Sequence, residues 1–128
     1  MDIKEYNGTS LAYIGDAVMS LYVREKLLSL GYQQSKILQK MSEGWVSAKA
    51  QSHFLETLYN QHFFNDEEWS IVLRGRNTNP KSKAKNADVL TYRKATGLEA
   101  LIGYLYLHGR KERLQELWCA IEAIGEYR

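Results

Sequence analysis

Two acidic side chains stand out because each is the single charge within an otherwise apolar helical stretch. Asp16 lies in residues 11–18 (LAYIGDAV), and Glu99 lies in residues 96–107 (TGLEALIGYLYL). At helical periodicity both stretches are apolar on nearly every side, which is typical of a buried helix. An ionised carboxylate in such a place is costly unless a cation or several hydrogen-bond donors accompany it. We therefore interpret both carboxylates as candidates for a functional site.

Small residues beside each acid indicate how the two could meet. Gly15 precedes Asp16, and Gly103 follows Glu99 by one helical turn. Glycines at these positions would let two helix backbones approach closely. The spacing therefore predicts a helix crossing at which Asp16 and Glu99 bind one metal ion through hard carboxylate oxygens, as Mg²⁺ prefers. The alternative is that each acid only packs between helices and pairs with a lysine, arginine or tyrosine.

The elements that must position these acids are all helical, because no segment shows the alternation of a strand. A chain of 128 residues suits one domain, which we place over residues 1–128. The predicted helices cover residues 11–28, 34–43, 45–59, 66–76, a segment from between 89 and 93 to 108, and residues 110–127. Thr9 or Ser10, Ser35, Ser47 and Asn65 are the predicted N-caps, and Gly44 is the predicted break between the second and third helices.

Composition excludes some classes of protein. A formal net charge of +2 does not mark the whole chain as a nucleic-acid binder. A prediction of nucleic-acid binding therefore depends on local clustering of basic residues. The one cysteine, Cys119, cannot form an internal disulfide and is predicted to be a small core residue. The chain shows neither the apolar region of a signal peptide nor a run long enough to span a membrane, so we expect a cytoplasmic protein.

Local clustering is found between Glu68 and Asp88, where no acidic residue occurs. The cations of this segment are Arg74, Arg76, Lys81, Lys83 and Lys85. Several asparagines accompany them, and residues 77–88 lack apolar periodicity, so we predict a loop with the composition of a phosphate-binding surface. The alternative is a solvated polar loop without a partner.

Aromatic and histidine side chains give weaker signals. Five tyrosines could stack on nucleic-acid bases, but their helical spacing favours packing or a dimer interface. They are Tyr13, Tyr22, Tyr92, Tyr104 and Tyr106. His53, His62 and His108 do not have the spacing of metal ligands, and we interpret them as ordinary surface or core-edge residues.

The two acidic stretches together resemble a known family. Residues 11–18 resemble the signature of the ribonuclease III family, and residues 99–103 with Tyr106 and Leu107 resemble its second acidic motif. The resemblance extends over nearly the whole chain, and its short length is similar to the reduced bacterial branch, Mini-ribonuclease III, which lacks a double-stranded RNA-binding domain. It implies a ribonuclease III-like helical domain that forms a homodimer and cleaves double-stranded RNA. It also implies Mg²⁺ as cofactor, with Mn²⁺ as a substitute, and a role in maturing the large (23S) ribosomal RNA precursor.

The sequence departs from the longer members of that family at three positions. Thr9, Ala12 and Thr96 stand where the family pattern has further acids. Fewer carboxylates predict a more weakly held ion that depends on water and RNA phosphate, and they leave open whether one or two ions act. They also favour, weakly, a rival interpretation in which the chain is a catalytically silent RNA-binding or scaffold module with the same fold.

Overall fold

The computed structural model describes residue 2, residues 5–78 and residues 86–128, and gives the backbone alone for residues 86 and 87. Within these residues the chain forms six α-helices and no strand, which confirms the all-α prediction. The helices are α1 (Gly8–Ser29), α2 (Ser35–Val46), α3 (Ala48–Asn60), α4 (Asp66–Arg76), α5 (Asn86–Leu107) and α6 (Lys111–Ile124).

Helix α5 lies at the centre of the fold. It packs against α1, α3, α4 and α6, and α1 makes the most extensive of these contacts. Leu98, Leu101, Ile102 and Leu105 of α5 are completely or almost completely buried. The nearly continuous apolar character of this stretch therefore has a direct cause, because neighbouring helices cover α5 on several sides.

Helix α1, in contrast, is covered on one side only. Leu11, Met19 and Val23 are buried, whereas Tyr13 and Leu21 are 79% and 56% exposed. The prediction that α1 is buried nearly all round is therefore only partly correct for the single chain, because Tyr13 and Leu21 remain exposed. Periodicity reports how apolar a helix face is, but it does not report whether that face packs within one chain or against another molecule.

Two predicted caps are confirmed. The Ser47 side chain accepts a hydrogen bond from the Ala50 backbone at 3.1 Å, which opens α3. At the start of α4, Asn65 accepts from the Glu68 backbone at 2.8 Å, and Glu68 accepts from the Asn65 backbone at 3.0 Å. This reciprocal pair is a capping box, so α4 begins where the sequence predicts.

Other predicted boundaries are wrong by a few residues. Asn7 rather than Thr9 or Ser10 caps α1, because its side chain accepts from the Ser10 backbone at 2.8 Å. Gln34 precedes α2 without a side-chain cap, so Ser35 is the first helical residue. Helix α2 also continues through Gly44 to Val46, since a single glycine costs a helix only about 1 kcal/mol, which packing can offset.

The predicted start of α5 and the end of α6 also need correction. Helix α5 begins at Asn86, earlier than the predicted start between residues 89 and 93. Helix α6 ends at Ile124 because Gly125 follows with φ = +89°, a left-handed conformation that closes the helix. Cys119 is exposed rather than part of the core. No helix in the described part of the chain is long and apolar enough to cross a membrane.

Candidate active site

The predicted glycine crossing is present between α1 and α5. A Cβ atom added at Gly15 would lie 1.7 Å from the carbonyl oxygen of Glu99, and one added at Gly103 would lie 2.0 Å from the carbonyl oxygen of Leu11. Both distances are far below any real contact of a Cβ atom, so the two helix backbones touch at this point. Only glycine fits at either position without a shift of the backbone.

This crossing brings the two predicted acids together. The carboxyl groups of Asp16 and Glu99 lie close enough to interact, so that one proton can be shared between them. Burial, followed by the hydrogen bond and the negative charge of Asp16, raises the pKa of Glu99 to about 9. No cation of the described chain contributes to that pKa, so the pair has no partner for its negative charge among the described residues.

The two acids differ in their access to solvent. Asp16 is exposed, whereas Glu99 is only partly accessible. The predicted burial of Asp16 is therefore wrong, because its side chain lies at the solvent-accessible edge of the α1–α5 crossing, although its neighbours Ala12 and Met19 are buried. The pair thus forms a site that is open on the Asp16 side, where a substrate phosphate can approach.

The positions that lack an acid surround the pair with neutral groups. Ala12 is buried, and Thr96 is buried with its hydroxyl donating to the Tyr92 carbonyl at 2.8 Å. Thr9 is exposed near the start of α1. The described residues contain no group of three or more His, Cys, Asp or Glu side chains that could hold a metal ion. The site therefore offers two carboxylates, which fits an ion such as Mg²⁺ that retains several water ligands.

Helix α4 packs beside this site through two further glycine contacts. A Cβ atom at Gly75 would lie 2.8 Å from the Thr96 carbonyl oxygen, and one at Gly8 would lie 2.5 Å from the Arg74 carbonyl oxygen. The end of α4 is thus held between the start of α1 and α5. Arg74 is exposed and donates weakly to the Tyr6 carbonyl at 3.4 Å, and Arg76 is partly buried beside α5. Lys81, Lys83 and Lys85 lie outside the described residues.

A buried ion pair fixes the other end of α4. The Glu68 side chain is 2% exposed and accepts from Arg113 Nε at 2.6 Å and from Nη2 at 2.8 Å. Arg113 also donates to the Phe63 carbonyl at 2.7 Å. Sequence analysis identified Asn65 as the cap of this helix but missed the pairing of Glu68 with Arg113, because the two are 45 positions apart and a charged residue on a helix is usually solvated.

Comparison with known proteins decides the family. A family model described as "Ribonuclease III domain" matches residues 9–110, which include both acidic motifs. The chain belongs to the ribonuclease III family. Relatives that carry the name "Mini-ribonuclease 3" support this strongly. The protein from Enterococcus faecalis is 46% identical over 127 residues, which are 98% of this chain and 96% of that protein. The protein from Staphylococcus aureus is 49% identical over 115 residues, which are 90% of this chain and 86% of that protein.

A solved structure supports the fold of this ribonuclease III domain independently. The crystal structure of a protein from Fusobacterium nucleatum is 33% identical, with a TM-score of 0.82, and the similarity covers 94% of this chain and 97% of that one. Family membership makes the chain a ribonuclease, an endonuclease that acts on RNA. The family acts on double-stranded RNA and is generally dependent on divalent metal ions.

The tyrosines of this ribonuclease III domain divide into two groups. The Tyr22 ring packs on Trp118 with 5.6 Å between centroids, and the Tyr104 ring packs on His108 at 4.3 Å. Tyr13, Tyr92 and Tyr106 are exposed. Packing therefore explains the first group, as their helical spacing predicts, whereas the second group is available to another molecule.

Proposed function

We propose that the chain is a Mg²⁺-dependent endoribonuclease that cleaves double-stranded RNA, with Asp16 and Glu99 as the residues that hold the metal ion. The observation that carries this proposal is the close approach of two carboxylates that have no cation beside them among the described residues. Such a pair keeps a proton only until a divalent ion displaces it, because two like charges this close cannot both ionise without compensation. Mn²⁺ prefers similar oxygen ligands and is the expected substitute.

Each part of the crossing has a role in this chemistry. A bound divalent ion supplies a hydroxide nucleophile at neutral pH and offsets the charge on the scissile phosphate. Asp16, on the open side, is placed to share that ion with the substrate, and the less accessible Glu99 anchors it from α5. Gly15 and Gly103 keep the two backbones in contact, so the distance between the carboxylates is set by the helix crossing rather than by flexible side chains.

We also infer that two copies of the chain form a homodimer in which each site cuts one strand. Antiparallel strands of a duplex share the twofold symmetry of a C₂ dimer. The exposed face of α1 and the end of α5 support this assembly, because Tyr13 and Leu21 of α1 and Tyr106 of α5 present large apolar surfaces to solvent. A monomeric mass by sedimentation at micromolar concentration, together with full activity, would contradict it.

The basic segment is proposed to hold RNA through its phosphates. Arg74 and Arg76 lie at the end of α4, which packs beside the α5 helix that carries Glu99. Replacing Lys81, Lys83 and Lys85 by alanine should weaken binding to every duplex sequence, and the dependence of log affinity on log salt should become flatter by roughly two to three units if all three make contact. A triple variant with the parent's affinity and slope would show that the segment is only a solvated connection.

The proposed substrate is a duplex in the precursor of the large (23S) ribosomal RNA. This substrate follows from the resemblance to Mini-ribonuclease III, the name that the E. faecalis and S. aureus relatives carry. A-form RNA is recognised mainly by shape and 2′-hydroxyl contacts, so the residues themselves do not specify which duplex is cut. Cleavage of a precursor stem should be faster than cleavage of an unrelated duplex of equal length. Equal rates would remove this substrate from the proposal.

One experiment separates the proposed enzyme from its rival, the catalytically silent module. The purified chain is incubated with an end-labelled RNA duplex in Mg²⁺, in Mn²⁺ and in chelator, and the products are sized on a denaturing gel. The proposal predicts shorter strands with either metal ion and intact strands with chelator. Intact strands under all three conditions, with the duplex still bound in a mobility-shift assay, would favour the silent module. The neutral residues Ala12 and Thr96 are the observation on which that rival depends.

A further inference from the structure

A groove runs along the second half of α1, beyond the acid pair. Helix α2 folds back along α1 after a connection of five residues, and the seam between them encloses about 620 Å³. Its floor is apolar, and its polar lining consists of Ser20, Arg24, Ser35, Gln39, Ser42 and Glu43. None of the functional assignments above uses this groove.

The groove begins at Ser20, about one helical turn from Asp16 of the candidate active site. Asp16, Ser20 and Arg24 are spaced four residues apart on α1, and consecutive residues with this spacing are neighbours on one side of a helix. Each step advances about 6 Å, so Arg24 lies about 12 Å beyond Asp16 along the helix axis. A polymer backbone, such as that of a nucleic acid, that reaches Asp16 can therefore extend into the groove within a few monomers.

Arg24 has no partner in the described part of the chain. It is exposed and forms neither a hydrogen bond nor an ion pair there. Its neighbour Lys26 differs, because Lys26 Nζ donates to Glu122 at 2.7 Å and is held against α6. An arginine that points to a groove without an internal anion is available for an external one, and its planar fork suits phosphate.

The charges around the groove favour an anionic occupant only moderately. Lys36 and Lys40 are exposed on α2 and also lack a partner among the described residues, while Glu25 and Glu43 oppose them. Because α2 returns along α1, Glu43 lies toward Ser20 and the candidate metal site. Arg24, Lys36 and Lys40 therefore supply the attraction for phosphate farther along the groove.

We propose that this groove holds the sugar–phosphate backbone of the substrate duplex beside the scissile phosphate. Arg24 contacts a flanking phosphate, and the exposed amide of Gln39 contacts a ribose 2′-hydroxyl. Duplex RNA displays 2′-hydroxyls along its wide minor groove, and amides and hydroxyls such as those lining this seam are suitable partners for them. The inference rests on the proposed function, because it requires the duplex to approach Asp16.

The first test measures how Arg24 affects electrostatic binding. Affinity for a short RNA duplex is measured in chelator, which prevents cleavage, over a range of salt concentrations. Arg24→Gln should bind more weakly than the parent, and its plot of log affinity against log salt should be flatter by about 0.7 to 0.9, the change for one lost phosphate contact. Lys49→Gln is the matched control, because Lys49 is exposed on α3, outside the groove, and causes the same change in net charge. An unchanged slope for Arg24→Gln, or an equal change in both variants, would overturn the proposal.

The second test concerns the 2′-hydroxyl contact. The parent should lose affinity when the nucleotides that flank the cleavage position carry 2′-deoxyribose, whereas Gln39→Ala should be much less sensitive to that substitution. An identical loss for the parent and the variant would contradict the role of Gln39. Both replaced side chains are exposed, and circular dichroism checks that each variant folds.

These results remain distinct from a failure of the proposed function. If the parent does not cleave with Mg²⁺, the assignment of an active enzyme fails, whatever the binding data show. If the parent cleaves but Arg24→Gln keeps its salt slope, only the groove assignment fails. Tight binding of a protein partner that Arg24→Gln abolishes, without any effect on RNA affinity, would also overturn it.

Discussion

Two glutamates of this chain are shielded from water, but their pKa values shift in opposite directions. Glu68 is 2% exposed at its side chain, and burial alone would raise its pKa, but hydrogen bonds from Arg113 and from the Asn65 backbone lower it overall. Glu99 faces another carboxylate at the α1–α5 crossing, and its pKa rises to about 9. Within the part of the chain that the structure describes, the negative charge of Glu68 is compensated by a cation and that of Glu99 is not.

This difference separates a structural acid from the acid that we propose is functional. Arg113 joins α6 to the start of α4 through Glu68, so the two opposite charges of that pair neutralise each other within the fold. The raised pKa of Glu99 means that this side chain retains a proton at the position where we propose that a divalent ion binds. Strongly perturbed carboxylates near a surface opening are typical of functional sites, and the lack of a cation among the described residues distinguishes this pair from the ion pair.

The largest expected effect is on cleavage. Asp16→Asn or Glu99→Gln should reduce the cleavage rate by on the order of a thousandfold or more, since each removes a metal-binding charge while nearly keeping its shape. Folding and binding of the duplex should persist. The rate is measured with a labelled duplex in Mg²⁺, and Glu112→Gln, an exposed acid on α6, is the matched control. Undiminished cleavage by either site variant would remove that residue from the active site.

The next largest effect is on stability and concerns the ion pair of Glu68 and Arg113. Arg113→Met should lower the free energy of unfolding by about 3 kcal/mol or more, because it leaves the Glu68 carboxylate buried without its cation. The double variant with Glu68→Gln should be less destabilised than Arg113→Met alone, since the unpaired charge is then gone. Urea denaturation measures both. Strictly additive losses would show that the pair contributes no specific interaction.

A third prediction concerns the helix crossing. Gly103→Ala should destabilise the chain by about 1 to 3 kcal/mol, because the new methyl group would meet the Leu11 backbone and force α1 away from α5. Cleavage by the fraction that remains folded should fall too, since the carboxylates separate. Gly31→Ala is the control, because nothing lies near that position and only backbone strain is added. Full activity of Gly103→Ala would show that the close approach is not needed to hold the pair.

The smallest effect is a pair of opposite pH dependences in metal-free protein. Glu99 has a raised pKa, so the folded chain binds the extra proton, and stability should fall as pH rises from about 4.5 toward about 9. Glu68 has a lowered pKa, so the stability it provides is present above its usual value of 4.5 and is lost as pH falls through the lowered pKa. The urea midpoint is measured as a function of pH in the presence of chelator. The decrease of the midpoint at alkaline pH should be absent in Glu99→Gln, and the decrease at acid pH should be absent in Arg113→Met. Unchanged profiles would contradict both assignments.

Much of the site could be predicted from local sequence, because its parts are local patterns. The acids, their neighbouring glycines and the two apolar stretches lie within single helices, and the crossing follows once Gly15 and Gly103 are paired. The exposure of Asp16 and Cys119 could not be predicted in this way. An apolar helix face has the same periodicity whether it is buried within one chain or left for another molecule.

Long-range partners and helix ends were the other features beyond the reach of the sequence. The contact of Glu68 with Arg113 joins distant positions, and no local pattern marks it. The capping role of Asn7 was missed because Thr9 and Ser10 are equally suitable cap residues, and only the backbone geometry decides among them. Arg24 gave no signal because its groove exists only after α2 has packed along α1.

Direct measurement of metal binding tests the central claim, that the Asp16 and Glu99 pair is the uncompensated charge that receives the catalytic ion. Mn²⁺ is titrated into the parent, Asp16→Asn, Glu99→Gln and the control Glu112→Gln, and the bound ion is followed by calorimetry and by electron paramagnetic resonance, independently of cleavage. The account predicts that the parent and the control bind Mn²⁺ with the same stoichiometry and affinity, and that either site variant binds it much more weakly. Equal binding by all four proteins would place the ion elsewhere and contradict the account.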